Sequence, residues 1–125
     1  YHGKVAGTIV PPERKKKMVS ESNFGSSQAL AAWVYQATGV RAMERGIVSA
    51  GRDEKGHNHA PSLELVRLTL PRRVYTQTHL DYVAEGIGLL HKKRAELPGL
   101  RFTHEPSRLR FFQSRFEPTP VKVRA

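Results

Sequence analysis

Cysteine is absent from this chain, and long apolar runs are absent as well. Without cysteine there can be no disulfide framework, no thiolate metal site and no cysteine nucleophile, so a reducing compartment is allowed. No apolar run approaches the roughly 18 residues that span a membrane, and the start Tyr1–Val10 lacks the apolar stretch of a signal peptide. We therefore expect a soluble, cytoplasmic protein that has no membrane partner.

Acidic residues are also scarce, because eleven Asp and Glu stand against twenty-one Lys and Arg and leave a formal net charge of +10. This balance favours acidic partners such as nucleic acid, a phosphorylated cofactor or an acidic protein surface. The basic run Arg14–Lys17 has no interleaved aromatic residues, and no nucleic-acid-binding module is recognisable, so nucleic acid is not expected as a partner. The length of 125 residues predicts one domain, too short for most complete cofactor enzymes.

Local composition divides the chain into three segments. Residues 1–25 carry Pro11, Pro12 and the basic run with little apolar periodicity, and they are predicted to form an extended arm. Residues 26–118 show helical and strand patterns and are predicted to form the folded domain. A short tail, 119–125, follows.

Apolar periodicity predicts the order helix, two strands, helix, short strands. The first helix is expected to begin at Ser26 or Ser27 and to end at Gly39. The second is expected to begin with a capping-box-like pair, Thr78 and Asp81. Strands are expected over Val40–Ala50, Leu63–Leu70, Leu100–His104 and Leu109–Phe116. The expected fold is a small α/β (α+β) sandwich with helices on one face of an antiparallel or mixed sheet.

One arginine interrupts the apolar strand pattern of Leu63–Leu70, because Arg67 lies between Val66 and Leu68. Burying an unpaired charge costs several kcal/mol, so a buried guanidinium must meet a carboxylate of the protein or of an anionic ligand. An arginine at a strand edge, in solvent or paired with Glu64, explains the pattern equally well.

Three further groups of residues are of interest, two on predicted strands and one in the polar segment between the two middle strands. Period-2 geometry places Met43, Arg45 and Ile47 on one face, although the pattern alone favours a solvated Arg45. In a strand Phe111 and Phe112 would point to opposite faces, so at least one is expected in the core. His57 and His59 have no nearby cysteine and no convergent carboxylates, and we interpret them as part of a polar turn with no metal site.

Three stretches taken together resemble the tyrosine phenol-lyase and tryptophanase family of β-eliminating lyases, nearest to its phenol-lyase branch. They are Val40–Arg52 (VRAMERGIVSAGR), Val66–Thr76 (VRLTLPRRVYT) and Glu105–Phe112 (EPSRLRFF), in the family's order and near its spacing. The resemblance covers residues 26–118 and leaves out the arm. It implies the C-terminal small domain of a fold-type I pyridoxal-phosphate enzyme.

The resemblance also implies roles for single residues. Arg67 would bind the α-carboxylate of an amino-acid substrate, and Arg45 would contact the leaving group. Phe111 and Phe112 would pack beside the aromatic ring of that leaving group, and Met43 belongs to the same expected substrate-binding set.

The reaction implied is β-elimination from tyrosine-like or S-substituted cysteine amino acids, with carbon–carbon or carbon–sulfur cleavage that gives pyruvate and ammonia. Pyridoxal 5'-phosphate would serve as the electron sink. In the family, the cofactor-binding lysine and its neighbours precede this region. The lysines of this chain lie in polar or terminal contexts, so no catalytic or cofactor-binding residue is expected here.

We therefore expect the small component of a split lyase, inactive alone. A larger partner subunit would hold the cofactor covalently and could hold a monovalent cation, in a hetero-oligomer such as a dimer of heterodimers or a higher assembly. Two alternatives stay open: a non-catalytic family domain used as a binding or scaffold module with a basic arm, and a fragment of one longer enzyme.

Overall fold

The structure, a computed structural model, describes residues 5–9 and 26–120. The basic run Arg14–Lys17 and the residues after 120 lie outside the described residues. The strands are β1 (Val5–Ile9), β2 (Met43–Arg45), β3 (Leu65–Thr69), β4 (Gly99–His104) and β5 (Arg115–Thr119). The helices are α1 (Ser26–Thr38), α2 (Ile47–Ala50), α3 (Gln77–Lys92) and α4 (Arg110–Gln113), and a 3₁₀ turn, Arg94–Glu96, follows α3. The expected mixture of helices with a small antiparallel sheet is confirmed.

The larger sheet has three strands in the order β1-β3-β2, and both pairings are antiparallel. The two middle strands expected from the sequence thus pair with each other, with β3 at the centre. Within the predicted extended arm, residues 5–9 form strand β1, which pairs with β3. Backbone hydrogen bonds to an open sheet edge can fix a segment whose own apolar pattern is weak.

The core includes two apolar clusters, one at α1 and one at α2. Helix α1 packs against β2, β3 and β4, and also against α3. One cluster joins Ala29 of α1 to Leu97, which follows the 3₁₀ turn, and to Leu100 of β4. A second cluster joins Ile47 and Val48 of α2 to the half-buried phenylalanines of the second sheet and of α4.

Both long helices form where periodicity predicts them. Gly39 ends α1 with a φ of +74°, a left-handed conformation that suits glycine, and its N–H donates to the carbonyl of Tyr35. The start of α3 corrects the predicted cap, because the N-cap is Thr76 and its backbone N–H donates to Nδ1 of His79 at 3.2 Å. Asp81 instead accepts a hydrogen bond from the side chain of Gln77 at 2.7 Å.

The predicted strand Val40–Ala50 is wrong in its second half, because the chain leaves β2 at Gly46 and forms α2. The physical reason is Glu44, whose carboxylate accepts hydrogen bonds from the N–H groups of Val48 at 3.1 Å and Ser49 at 3.0 Å. An acidic side chain that binds free N–H groups stabilises the first turn of a helix.

The predicted strand Leu109–Phe116 is also wrong in its first part. Leu109 adopts a left-handed conformation with a φ of +54°, and its carbonyl accepts hydrogen bonds from the N–H groups of Phe112 and Gln113. These bonds make one helical turn, α4, and only then does β5 pair with β4. Weak period-2 alternation over a few residues does not distinguish a short strand from a helical turn.

Candidate functional site

The face of the three-stranded sheet that points away from α1 carries Met43 and Arg45 of β2 and Leu65 and Arg67 of β3. Met43 on β2 lies directly opposite Arg67 on β3, and Arg45 lies opposite Leu65. Paired residues of antiparallel strands point to the same side, with Cβ atoms about 4.5–5.5 Å apart. We call these four residues the outer-face cluster. Ile47, which was expected on this face, lies instead in the core of α2.

The two guanidinium groups of the outer-face cluster lie on an open surface. Arg67 is half-buried, between the buried and the solvent-exposed positions that the sequence pattern left open, and Met43 and Arg45 beside it are exposed. Within the described part of the chain, neither arginine side chain makes an ion pair or a hydrogen bond. Glu64 accepts hydrogen bonds from the backbone N–H and the hydroxyl of Ser27, at 3.1 and 3.2 Å. Two such guanidiniums are suited to bind an anion, above all a carboxylate.

Glu44 fixes the end of β2 from the opposite face of the sheet. Its side chain is only 2% exposed and points toward α1, where the hydroxyl of Ser27 lies 3.5 Å from Oε1. Because the carboxylate also binds the first N–H groups of α2, it sets the direction of the chain directly after Arg45. This role of Glu44 was not predicted from the sequence. The period-2 pattern of a strand could have indicated it, because Glu44 must face the core when its neighbour Arg45 faces outward.

The aromatic pair lies on α4, which packs against α2. Phe111 is half-buried against the apolar cluster of Ile47 and Val48, whereas Phe112 is 77% exposed. The two rings meet edge to face with centroids 5.1 Å apart. Among the described residues neither ring stacks on Arg45 or Arg67, so the structure links the pair to the outer-face cluster only through α2.

The polar segment between β2 and β3 forms a compact turn. Asp53 accepts hydrogen bonds from the N–H groups of Lys55 at 2.9 Å and His57 at 2.8 Å. Arg52 and Asn58 form an antiparallel bridge at its base. In the described ranges, 5–9 and 26–120, no group of three or more His, Cys, Asp or Glu is arranged to hold a metal.

Comparison with known proteins decides the family. The sequence model of the beta-eliminating lyases matches residues 10–86, more than half of the chain. The chain belongs to the beta-eliminating lyase family. The match begins at residue 10 and so extends into the arm, beyond the residues 26–118 that carry the resemblance seen in the sequence.

Similar lyases come from several bacteria. The chain is 60% identical over 93 residues to the tyrosine phenol-lyase of Lacrimispora saccharolytica. It is 62% identical over 93 residues to that of Pasteurella multocida. Both matches cover 74% of this chain and 20% of the relative. A third, from Intrasporangium calvum, is 58% identical over 97 residues, which are 78% of this chain and 20% of the relative. The matching part of the chain therefore spans about a fifth of the length of these lyases.

No helix among the described residues is both long and apolar enough to cross a membrane. The cytoplasmic location and the domain boundaries at residues 25 and 118 stay predictions.

Proposed function

We propose that this chain supplies the substrate-facing contacts of a pyridoxal-phosphate-dependent β-eliminating lyase that acts on tyrosine-like or S-substituted cysteine amino acids. The observation that carries the proposal is the outer-face cluster. Arg45 and Arg67 are diagonal neighbours on adjacent strands, which places their backbones about 7–8 Å apart. Two like charges at that distance repel each other, so a bound anion would stabilise this face.

Arg67 is the proposed ligand of the substrate α-carboxylate. It lies on the central strand β3, which is fixed by hydrogen bonds on both sides, from β1 and from β2. A planar guanidinium on such a rigid element can hold a carboxylate through two parallel hydrogen bonds and so fix the orientation of the Cα atom. A lysine in the same place would supply the charge without the bidentate geometry.

The leaving group is proposed to meet Arg45, Phe111 and Phe112. Arg45 stands at the end of β2, where Glu44 holds the turn into α2, and α4 packs on that same helix. The exposed ring of Phe112 can pack against an aromatic leaving group, while the guanidinium of Arg45 can stabilise developing negative charge on a phenolic oxygen or a sulfur.

The described residues do not fit covalent attachment of the cofactor. Lys55, Lys92 and Lys93 are all exposed, whereas an amine that forms a Schiff base is normally activated by burial or by a nearby positive charge in a desolvated site. Pyridoxal phosphate, when bound, supplies the electron sink of β-elimination. We propose that residues outside this chain hold it, on a larger partner subunit of a hetero-oligomer, and that this chain alone is inactive.

A reconstitution experiment tests the proposal. The tyrosine phenol-lyase of Pasteurella multocida would be produced without the fifth of its length that matches this chain, and each protein would be purified alone and after co-expression. Pyruvate release from tyrosine and from an S-substituted cysteine would then be measured. We expect activity only when both polypeptides are present, with loss of activity in Arg67→Ala and full activity in the control Arg115→Ala, an exposed arginine on β5.

The same experiment separates the competing functions. Activity that returns only when the two parts are joined in one polypeptide would favour a segment of one longer enzyme. Absence of activity in both forms, together with a stable complex, would favour a non-catalytic binding or scaffold module. Activity unaffected by Arg67→Ala would remove the proposed role of that arginine.

A further inference from the structure

A cluster of two arginines and one glutamate lies between the polar turn and α4. The carboxylate of Glu105 accepts two hydrogen bonds from Arg52, from Nε at 2.8 Å and from Nη2 at 2.6 Å. The same carboxylate lies 2.9 Å from Nε of Arg110. One acidic group thus binds two guanidiniums, and we call Arg52, Glu105 and Arg110 the Arg–Glu–Arg cluster.

Arg110 is the buried member of this cluster. Its side chain is 9% exposed, and its Nη2 donates a hydrogen bond to Oδ1 of Asn58 at 2.6 Å. The guanidinium carbon lies 5.0 Å from the ring centroid of Phe102 on β4. Burial lowers the pKa of Arg110, whereas the negative charge of Glu105 raises it. The ion pair with Glu105 therefore offsets part of the cost of burying the charged guanidinium of Arg110.

The cluster stands on a rigid support. Arg52 donates to the carbonyl of Gly56 as well as to Glu105, and Asp53 closes the same turn through two backbone N–H groups. The turn therefore presents Arg52 and Asn58 at fixed positions. Because Arg110 is the first residue of α4, its anchoring fixes the start of the helical turn that carries Phe111 and Phe112.

We propose that the Arg–Glu–Arg cluster positions the aromatic pair and thereby sets the preference of the lyase for aromatic leaving groups. This inference rests on the proposed function. The anchored side chain of Arg110 and the packing of Phe111 on α2 hold α4 at two points, so that Phe112 faces outward with one orientation. Arg52, Glu105 and Arg110 act through the rings and are positioning residues, not catalytic ones.

The positioning role predicts different effects on two kinds of substrate. A leaving group without a ring does not depend on the orientation of Phe112, whereas a phenolic ring does. A small displacement of a positioning group can lower a rate roughly a hundredfold. Loosening α4 should therefore reduce kcat/KM for tyrosine more than kcat/KM for a cysteine with a small S-alkyl group.

The test uses Glu105→Gln, which keeps the shape of the side chain and removes its charge. Hydrogen exchange of the full chain, followed by mass spectrometry over residues 110–113, measures how well the backbone amides of α4 are protected. In the reconstituted lyase we expect kcat/KM for tyrosine to fall about ten- to a hundredfold more than that for the S-alkyl cysteine. Glu117→Gln is the matched control, because Glu117 also pairs with an arginine, Arg101, but across β4 and β5 and outside the cluster.

Arg52→Lys provides a second, milder variant, because Arg52 is 44% exposed and lysine keeps the charge while losing the bidentate contact. It should give an intermediate effect in both measurements. Unchanged exchange over residues 110–113 in both variants would overturn the positioning role, even if the reconstituted lyase is inactive. An equal loss of kcat/KM for both substrates in an active lyase would mean that the cluster only stabilises the fold, and this would overturn the proposed effect on preference. Inactivity of the unsubstituted assembly would count against the proposed function alone.

Discussion

Met43 and Arg67 face each other across antiparallel strands, so an apolar side chain and a guanidinium stand side by side on an open sheet surface. The pairing is fixed by the register of β2 on β3 and does not depend on a flexible loop. A shift of one residue would turn Arg67 toward α1, where its charge would be buried. The buried side chain of Val66 on the opposite face prevents that shift.

The first prediction concerns Arg67→Ala. Free energies of unfolding should change by no more than about 0.5 kcal/mol, because the side chain has no partner among the described residues and lies on an open face. In the reconstituted lyase, kcat/KM should fall roughly ten- to a hundredfold, since hydrogen bonds to a charged group contribute about 1.5–3 kcal/mol. Urea denaturation and steady-state kinetics measure the two quantities.

Arg67→Lys separates charge from geometry in the same assay. Lysine should recover part of the activity, because it restores the charge but not the two parallel hydrogen bonds. A marked loss of stability in Arg67→Ala would mean that the arginine serves the fold, contrary to its proposed role toward substrate.

The second prediction concerns Glu44→Ala. The substitution removes a carboxylate that is 2% exposed and leaves the N–H groups of Val48 and Ser49 without their acceptor. The free energy of unfolding should fall by about 2–4 kcal/mol, as for other buried, hydrogen-bonded charges. Glu54→Ala, at an exposed position in the polar turn, should change it by less than about 0.5 kcal/mol. Similar losses in the two variants would show that Glu44 does not support α2.

The long helices and the central strand could be predicted from the sequence, because apolar periodicity and glycine positions carry local information. Helix α1 begins at Ser26 and ends before Gly39, as the pattern predicts. The short helices could not be found in this way. Helix α2 depends on the burial of Glu44, and α4 depends on the left-handed conformation of Leu109.

The candidate site, too, could be predicted from the sequence only in part. The shared face of Met43 and Arg45 follows from strand periodicity, and Arg67 joins it through a pairing register that the sequence does not state. The Arg–Glu–Arg cluster was not predictable, because 53 residues separate Arg52 from Glu105. No local pattern connects two residues that meet only after the chain has folded.

The third prediction concerns the pH dependence of stability. Hydrogen bonds from Arg52 hold the pKa of Glu105 below its ordinary value of 4.5, against the opposing effect of burial, and the charges of Arg110 and Arg52 lower it further. The folded chain therefore binds fewer protons at this site than the unfolded chain. The resulting stabilisation is present above about pH 4.5 and is lost as the pH falls through the lower, folded value.

Glu105→Gln isolates this effect, because glutamine does not titrate. At neutral pH the unsubstituted chain should be the more stable, and the difference between the two should narrow as the pH falls below about 4.5. Urea denaturation at a series of pH values measures it. A difference that stays constant down to pH values well below that point would contradict the assigned cause.

The last prediction compares two glycines whose substitution by alanine should have opposite effects. A Cβ atom at Gly46 would overlap the hydroxyl oxygen of Ser27 and lie 2.8 Å from Oε1 of Glu44, so the buried contacts between α1 and β2 would have to separate. Gly46→Ala should therefore destabilise the chain by about 1–3 kcal/mol, as overpacking does elsewhere.

At Gly88, inside α3, a Cβ atom meets nothing within 4 Å, so Gly88→Ala should stabilise the chain by about 0.5–1 kcal/mol through helix propensity. Thermal and urea unfolding of both variants measure these two changes in stability. A stabilised Gly46→Ala would mean that Ser27 and Glu44 are not packed against the turn that follows Arg45.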